Sequence, residues 1–551
     1  MRKQLLNLSA MTKEKLLLIV ILLAGLFVRL YNYNYPPLLW DEAGLGYNAY
    51  SILKTGRDEY GQFLPLIFKS FGDYKPGLYV YLSVPFIALF GLNPLAVRLP
   101  SIILGSLIPL IAYLFIKKHT TSKILPLLFA ILIAFNPYNI HFSRGAWETN
   151  ILTFQLLLAS YLFFDKKYFW SSLIFGLTLF TYQSGKLTSL LLIAALLLIT
   201  FTKDYFKKDF IIKFIFPLFI FSLPILYGLL WGQQGNRLEV VSLFSYPRSS
   251  EEKNMIISEA NSSDYLIFHN KIIFFARNFL LRYFNHFSPQ FLLTQGDWQS
   301  PRHSSPYTGV LLIPSFFFLI LGLFSANYFS ENYSSNNYSF TNLFFLLWLI
   351  LAPIPAALTR DSLSAVRVMS FSLPLCYFSA LGIISTINYF KKNKFFYLTT
   401  SLLIFLSYLL SFVYYTDLYY NHTVKKSPQD WLYGYQEAIN YVIKNGENRS
   451  IYFTNFYGQA YIYYLFYSQY PPEKYQLQAN LIINGVDTGV VSKIDTIKFE
   501  TPNFSYLLLQ SKPVLAVFSY DDAIRQGIDL NLLTPLSPIN NTSTFYGYKN
   551  P

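Results

Sequence analysis

The chain has a single cysteine, Cys376, set inside an apolar run. One thiol excludes an intramolecular disulfide framework and any cysteine-built metal cluster, and the apolar setting makes it an inert core thiol. Charge is also scarce. Only 13% of the 551 residues are Asp, Glu, Lys or Arg, and 29 acids face 43 bases. Glycine-rich phosphate cradles, a Walker sequence and a Ser/His/Asp order are all missing, so a nucleotide-sugar site on the inner face has no support and a donor arriving within the membrane is favoured. Internal repeats and long low-complexity tracts are absent, and Ser330–Ser339 reads as a polar turn.

Apolar residues are what the chain has in abundance. They make up 53% of it, with 46 Tyr and 53 Phe, and the mean hydropathy is +0.34. That is too apolar for a soluble protein of this length and predicts an α-helical polytopic membrane protein. The net charge of +14 follows from Lys and Arg clustered in alternate short loops, so topology explains it and nucleic acid is not implied. Basic residues before Leu16–Leu30, with no small-residue cleavage site after it, predict a retained signal anchor that places the N-terminus inside.

Spans need about 20 apolar residues. They are expected at about 14–34, 97–116, 124–141, 150–164, 168–184, 187–201, 210–231, 309–326, 342–358, 366–388 and 395–415, eleven in all. The piece at about 77–92 is short and interrupted by Pro85. Read as re-entrant or interfacial, it leaves Lys117/Lys118/Lys123, Asp165–Lys166–Lys167, Lys203…Lys208 and Lys391–Lys394 all on the inner side. Residues 42–56 predict an amphipathic helix lying on the membrane surface. A long outer loop is expected at about 232–308. From about 416 the pattern changes to a small extracytoplasmic α/β domain, with a helix at Trp431–Ile443 capped by Ser427–Pro428. The domain division is therefore 1–415 and 416–551.

The polar residues of the outer loops carry the candidate chemistry. Asp41 and Glu42 follow the first helix. They read as an N-cap and a dipole-favoured neighbour, or as a base that deprotonates an acceptor hydroxyl, and the two readings are compatible. Asp73–Tyr74–Lys75–Pro76 offers either a surface ion pair or a lysine on a phosphate. Arg144 and Glu148 flank Trp147, as an i,i+4 pair beside an interfacial anchor or as an outer wall for an anionic ligand. Asp297…Arg302–His303 brings His, Arg and Asp close together, a weak pattern for a divalent cation. Arg302 and Arg367 are candidates for lipid-phosphate contacts. Arg367 opens a helix, where an unpartnered charge carried to mid-membrane would cost roughly 2.5–3.5 kcal/mol.

The outer Asp41–Glu42, the Lys75–Pro76 ahead of a short apolar piece, Arg98–Leu99–Pro100–Ser101, and Asn136–Pro137…Ser143–Arg144…Glu148 together resemble the GT-C membrane glycosyltransferases. Within that superfamily the chain is most similar to the bacterial branch of lipid A aminoarabinose transferases and relatives of protein O-mannosyltransferases, over the stretch to about residue 390. The resemblance implies a polyprenyl-phosphate-linked sugar donor, reaction on the extracytoplasmic face of the plasma (inner) membrane, and inversion at the anomeric carbon. By position it implies Asp41 as general base and Glu148 as second acidic residue, and Glu42 is taken with them as a catalytic candidate. Lys75, with Arg144, Arg302 and Arg367, would bind donor phosphate. It also implies a divalent cation (Mg, Mn or Zn) between Asp73 and His303, although here Tyr74 separates the acid from the lysine. The His-Pro-Pro sequence of eukaryotic protein mannosyltransferases is absent.

Two functional classes follow. One is an enzyme moving one sugar to a lipid, glycan or protein hydroxyl. The other is a flippase or transporter for lipid-linked sugars, with a polymer ligase as a variant of the first. The candidate residues crowd on one face, which favours the enzyme.

Overall fold

The computed structural model describes residues 2–201, 207–230, 242–245, 250–259, 263–332, 338–483, 488–540 and 542–550. The expected inner-loop residue Lys203, the start of the long outer loop at 231–241 and half of the polar turn Ser330–Ser339 lie outside these. The chain groups into two compact units. One comprises 1–29, 104–143 and 149–418, and the other gathers 30–103, 144–148 and 419–551.

The first unit is helical and apolar, and the chain is a multi-pass membrane protein. Among the described residues, five helices are long and apolar enough to cross a bilayer: Pro94–His119, which begins in the second unit, Lys208–Gly228, Ser339–Ala357, Val366–Tyr389 and Lys394–Lys426. The span expected at 124–141 is instead a broken pair, Leu125–Phe135 and Pro137–Arg144, bent by 52°. Pro137 cannot donate to the helix and disfavours helical backbone at Asn136, so the chain kinks there. Helix crossing is tightest between Ile313–Asn332 and Ser372–Tyr389. A Cβ added at Gly322 would lie 1.8 Å from the carbonyl of Phe378, and one at Gly382 would lie 1.9 Å from that of Phe318. Paired glycines let the two backbones touch, the means by which membrane helices gain packing where the hydrophobic effect is silent.

The second unit opens with α1 (Trp40–Thr55). Ten of its residues, from Glu42 to Ile52, are buried, so it is an interior helix and not the membrane-surface helix expected for 42–56. Its small residues Ala43, Gly44, Gly46 and Ala49 let neighbours close over the face predicted to meet water. At Gly46, for example, a Cβ would stand 2.5 Å from Val97. The chain leaves α1 through Gly56 in the left-handed region (φ 68°) and enters a hairpin, β1 (Ile67–Ser70) and β2 (Asp73–Pro76). Phe71 (φ 55°) and Gly72 (φ 93°) form its two-residue turn, the positive-φ geometry that matches strand twist. α2 (Leu78–Phe90) follows with Pro85 inside it. At 13 residues it reaches about 20 Å, short of a bilayer core, in keeping with the re-entrant or interfacial reading of 77–92.

The C-terminal part of this unit is an α/β fold. A six-stranded sheet runs Lys493–Ile494, Ile497–Phe499, Ser450–Phe453, Val514–Ser519, Phe545–Lys549, Thr534–Pro535. Ser450–Phe453 is parallel to both its neighbours. The helix expected at Trp431–Ile443 begins later, at Tyr435, because Gly434 (φ 98°) takes the N-cap, and it ends at Asn445.

Candidate functional site

The site is built on the first turn of α1. The helix starts at Trp40 with Leu39 as its N-cap, two residues earlier than the capping reading of Asp41 requires. Asp41 therefore lies inside the first turn. Its Oδ2 accepts from Trp40 Nε1 at 3.2 Å, and its Oδ1 forms an ion pair with Lys75 Nζ. The hairpin makes that pair. Register sets Lys75 of β2 opposite Phe68 of β1, and the ammonium lies 5.1 Å from the centroid of the Phe71 ring at the turn. Asp41, Lys75 and Glu148 line one pocket, with Gly44, Asn48 and Ser70 among its walls.

Glu42 serves the frame of this site. Its carboxylate accepts a forked contact from Arg98, Nε at 2.8 Å and Nη2 at 2.7 Å. It also accepts from the backbone N–H of Ala146 at 2.7 Å and of Leu39 at 3.0 Å. The remaining Arg98 donors reach the carbonyls of Tyr33, Pro36 and Pro37. Both side chains are almost fully buried, at 2% and 4% exposure. One charge pair thus ties the loop before α1, the helix starting at Pro94 and the 144–148 segment together. A forked, charge-assisted contact with every remaining donor directed at a carbonyl is what makes such burial tolerable.

Arg144 is a second clamp. It is fully buried and donates to the carbonyls of Tyr31 (2.7 Å), Asn32 (2.8 Å) and Tyr35 (3.0 Å) and to Tyr419 Oη (3.2 Å). Its guanidinium lies over the rings of Tyr419 and Tyr420. A phosphate there would have to displace backbone carbonyls. The expected i,i+4 pair of Arg144 with Glu148 needs one continuous helix. Instead, one helix ends at Arg144 and the next, Glu148–Phe164, begins after a break.

Glu148 stands just ahead of the membrane run that begins at about 150. Removal from water pushes its carboxyl up to about 7, Lys75 pulls it back, and the Asp41 charge pushes it up further. Glu148 is therefore largely neutral in mildly acidic conditions and ionises near neutrality. The ionised form puts a second negative charge beside Lys75. Affinity for an anion at Lys75 should therefore fall about tenfold between pH 6 and pH 8, one pKa unit being worth 1.36 kcal/mol. In Glu148→Gln the profile should be flat, which binding titrations across that range would check.

Behind the pocket wall, Asn48 donates to Glu59 Oε1 at 3.1 Å and accepts from the Glu59 N–H at 3.0 Å. Glu59 is fully buried, and burial pushes its carboxyl up to about 8, against the Asn48 hydrogen bond and with a further push from Asp58. A carboxyl raised in the folded state contributes stability that is complete below its unfolded value near 4.5 and lost as pH rises toward 8. The loss at pH 8 is roughly 5 kcal/mol. Glu59→Gln should raise the thermal midpoint at pH 8 by several degrees and leave it nearly unchanged at pH 5, as scanning calorimetry would show.

Of the remaining predicted residues, Arg302, His303 and Arg367 lie in the first unit and Asp73 in the second. His303 Nδ1 is 2.9 Å from Asp297 Oδ2, so the Asp297…His303 pairing forms. The same oxygen accepts from Ala365 N at 2.8 Å and Oδ1 accepts from Ser300 N at 3.1 Å. Burial alone would raise the Asp297 carboxyl, but His303 and these backbone donors hold it below the usual carboxylate value. The Arg302 carbonyl lies 2.8 Å from His141 Nε2. Arg367 pairs with Asp361 and donates to Thr359 Oγ1 at 3.3 Å, so the partner its position demands comes from its own loop. Asp73 is buried at the end of the hairpin turn, and its Oδ1 accepts from Tyr74 N at 2.7 Å. Among the described residues no three His, Cys, Asp or Glu side chains gather as a metal-ligand group. The donor set around Asp73 therefore falls short of a divalent-cation site on its own.

Arg98 is the residue that sequence reasoning missed as part of the frame. It was legible only as an arginine opening an apolar helix, a charge that must find a partner, and Glu42 was the other charge in search of one.

The family described as dolichyl-phosphate-mannose-protein mannosyltransferase matches residues 19–237. The fold is similar to that of ArnT from Cupriavidus metallidurans in the apo state, with a TM-score of 0.56, 11% identity and 98% of each chain covered. It is also similar to the same protein bound to undecaprenyl phosphate, with a TM-score of 0.54, 10% identity and 98% of each chain covered. Among curated proteins none matches.

Proposed function

We propose that this chain, which has the GT-C glycosyltransferase fold, moves one sugar from a polyprenyl-phosphate donor to an acceptor hydroxyl at the extracytoplasmic face of the plasma membrane. The observation that carries the reading is the convergence of Asp41, Lys75 and Glu148 on one pocket. In the resting arrangement Lys75 is paired with Asp41, and the pocket has only about 10 Å³ of room, about enough for one water. A donor phosphate competes for Lys75, parts the pair and opens the site. Asp41 is then released to take the proton of the acceptor hydroxyl. The hydroxyl oxygen bonds to the anomeric carbon from the face opposite the phosphate, and the carbon–oxygen bond to phosphate breaks. The electron pair leaves with the polyprenyl phosphate, whose charge Lys75 meets. A phosphate ester is already a good leaving group, so little acid assistance is required. Inversion at the anomeric carbon follows from this geometry.

Glu148, neutral in the donor-loaded site, keeps a second negative charge away from the phosphate. Glu42 and Arg144 act by holding the loops that present Asp41. Arg302 and Arg367 are proposed as lipid-phosphate contacts within the first unit. Support for a lipid-linked donor comes from the family match and from the bound lipid of the structural relative, which is undecaprenyl phosphate.

The test is transfer of radiolabelled sugar from a panel of polyprenyl-phosphate monosaccharides by the purified chain in lipid, with chelator in half the samples. Transfer from at least one donor supports the reading. Transfer that survives chelation leaves the leaving group to Lys75, and transfer lost to it adds a cation. Uptake of intact donor across the bilayer without cleavage would favour the flippase reading.

A further inference from the structure

A second cavity in the same unit plays no part in the chemistry above. It has room of about 230 Å³ and is lined by Asn34, Tyr35, Tyr433, Gln436, Glu437 and Tyr467 over an apolar floor that includes Leu38, Val424 and Leu432. This is well above the size of a water site and just below the range of drug-sized pockets, about 300 Å³ and more.

The lining has a distinct chemistry. Its only charged residue is Glu437, and it holds no Lys or Arg, so it does not suit a phosphate or any other anion. Three tyrosine rings stand over the floor, all half-buried, while Asn34, Gln436 and Glu437 form an exposed rim. Tyr433, Tyr467, Gln436 and Glu437 line it and make no side-chain hydrogen bond among the described residues. The aromatic wall is preorganised. Tyr467 stacks on Tyr463 with ring planes 10° apart, and Tyr463 stacks on Tyr435 at 4.1 Å between centroids. The column is pinned by Tyr463 Oη to the Leu38 carbonyl at 3.0 Å and by Tyr435 Oη to the Gly458 carbonyl at 2.9 Å.

Aromatic faces are electron-rich and apolar. A sugar ring offers them a face of polarised C–H groups, while its edge of hydroxyls asks for planar amide and carboxylate partners. We propose that this cavity is a binding site for an uncharged saccharide. Because its floor residue Leu38 lies three residues before Asp41, at most about 11 Å along the chain, the structure assigns the saccharide to the acceptor. That last step rests on the transferase reading, and saccharide binding itself does not.

The experiment is saturation-transfer NMR on the full chain in nanodiscs, using mannotriose, cellotriose, chitotriose and maltotriose as probes. The expected result is saturation of the ring protons of at least one trisaccharide, with affinity falling about tenfold in Tyr467→Ala and in Tyr433→Ala. Tyr433→Phe, which keeps the ring, should retain most of the affinity, and circular dichroism of each variant would show that it is folded. No saturation from any of the four probes would overturn the proposal. So would saturation unaltered in both alanine variants, or binding only of a Ser/Thr-rich peptide. Saccharide binding by a chain that fails to cleave any polyprenyl-phosphate sugar would keep the site and remove only its description as the acceptor's.

Discussion

Asp41→Asn is expected to lower kcat for sugar transfer by roughly 10²- to 10⁴-fold, the range a positioned general base supplies. The amide keeps the shape of the side chain and its contact with Trp40, so the protein should fold and bind lipid-linked donor. The carboxylate also pairs with Lys75 in the resting arrangement, and the neutral amide holds that lysine less firmly. Donor affinity should therefore be unchanged or slightly improved while turnover collapses. That split between kcat and KM separates a base from a residue that merely shapes the pocket, since loss of shape would weaken binding too. Turnover within a few-fold of the parent would remove Asp41 from the chemistry.

Arg98→Ala is expected to have the largest effect on the fold, a destabilisation of about 3–5 kcal/mol, because it leaves a buried carboxylate without its partner. Glu42 would keep the N–H groups of Leu39 and Ala146 but lose both guanidinium contacts. Three loop carbonyls, those of Tyr33, Pro36 and Pro37, would lose their donor at the same time. Since these elements present Asp41, transfer should fall together with stability. Arg98→Met combined with Glu42→Leu should recover part of the lost stability without recovering full activity, because charge burial is relieved while the loop ties stay broken. Thermal unfolding in lipid, read beside transfer, distinguishes this from a purely catalytic defect.

Several parts of the account were legible in the sequence because they rest on composition and length. Scarce charge and long apolar runs predict a helical membrane protein, and the short piece interrupted by Pro85 folds as a helix of only 13 residues. Asp41, Lys75 and Glu148 stood out because charges beside apolar helices need a reason to be there. The hairpin that joins Asp41 to Lys75 was not legible. Its strands are four residues each, too short for an alternating pattern to declare itself, and its turn puts a phenylalanine at positive φ. The burial of α1 was hidden for another reason. Its alternation of small and polar residues resembles a surface helix until neighbours from the far end of the chain, such as Tyr470, close over it through Tyr47. Local pattern carries no information about contacts that cross some four hundred residues. The same gap concealed the partnership of residues 30–103 with the C-terminal α/β region.

The most direct test of the central claim is a stoichiometry. With one active polyprenyl-phosphate sugar labelled in both the sugar and the lipid, the sugar appearing on acceptor and the free polyprenyl phosphate released are counted together, for the parent chain and for Asp41→Asn. The account predicts one sugar transferred per polyprenyl phosphate released by the parent and almost none of either by the variant. Labelled lipid that crosses the membrane with its sugar still attached, equally well in both proteins, would contradict it.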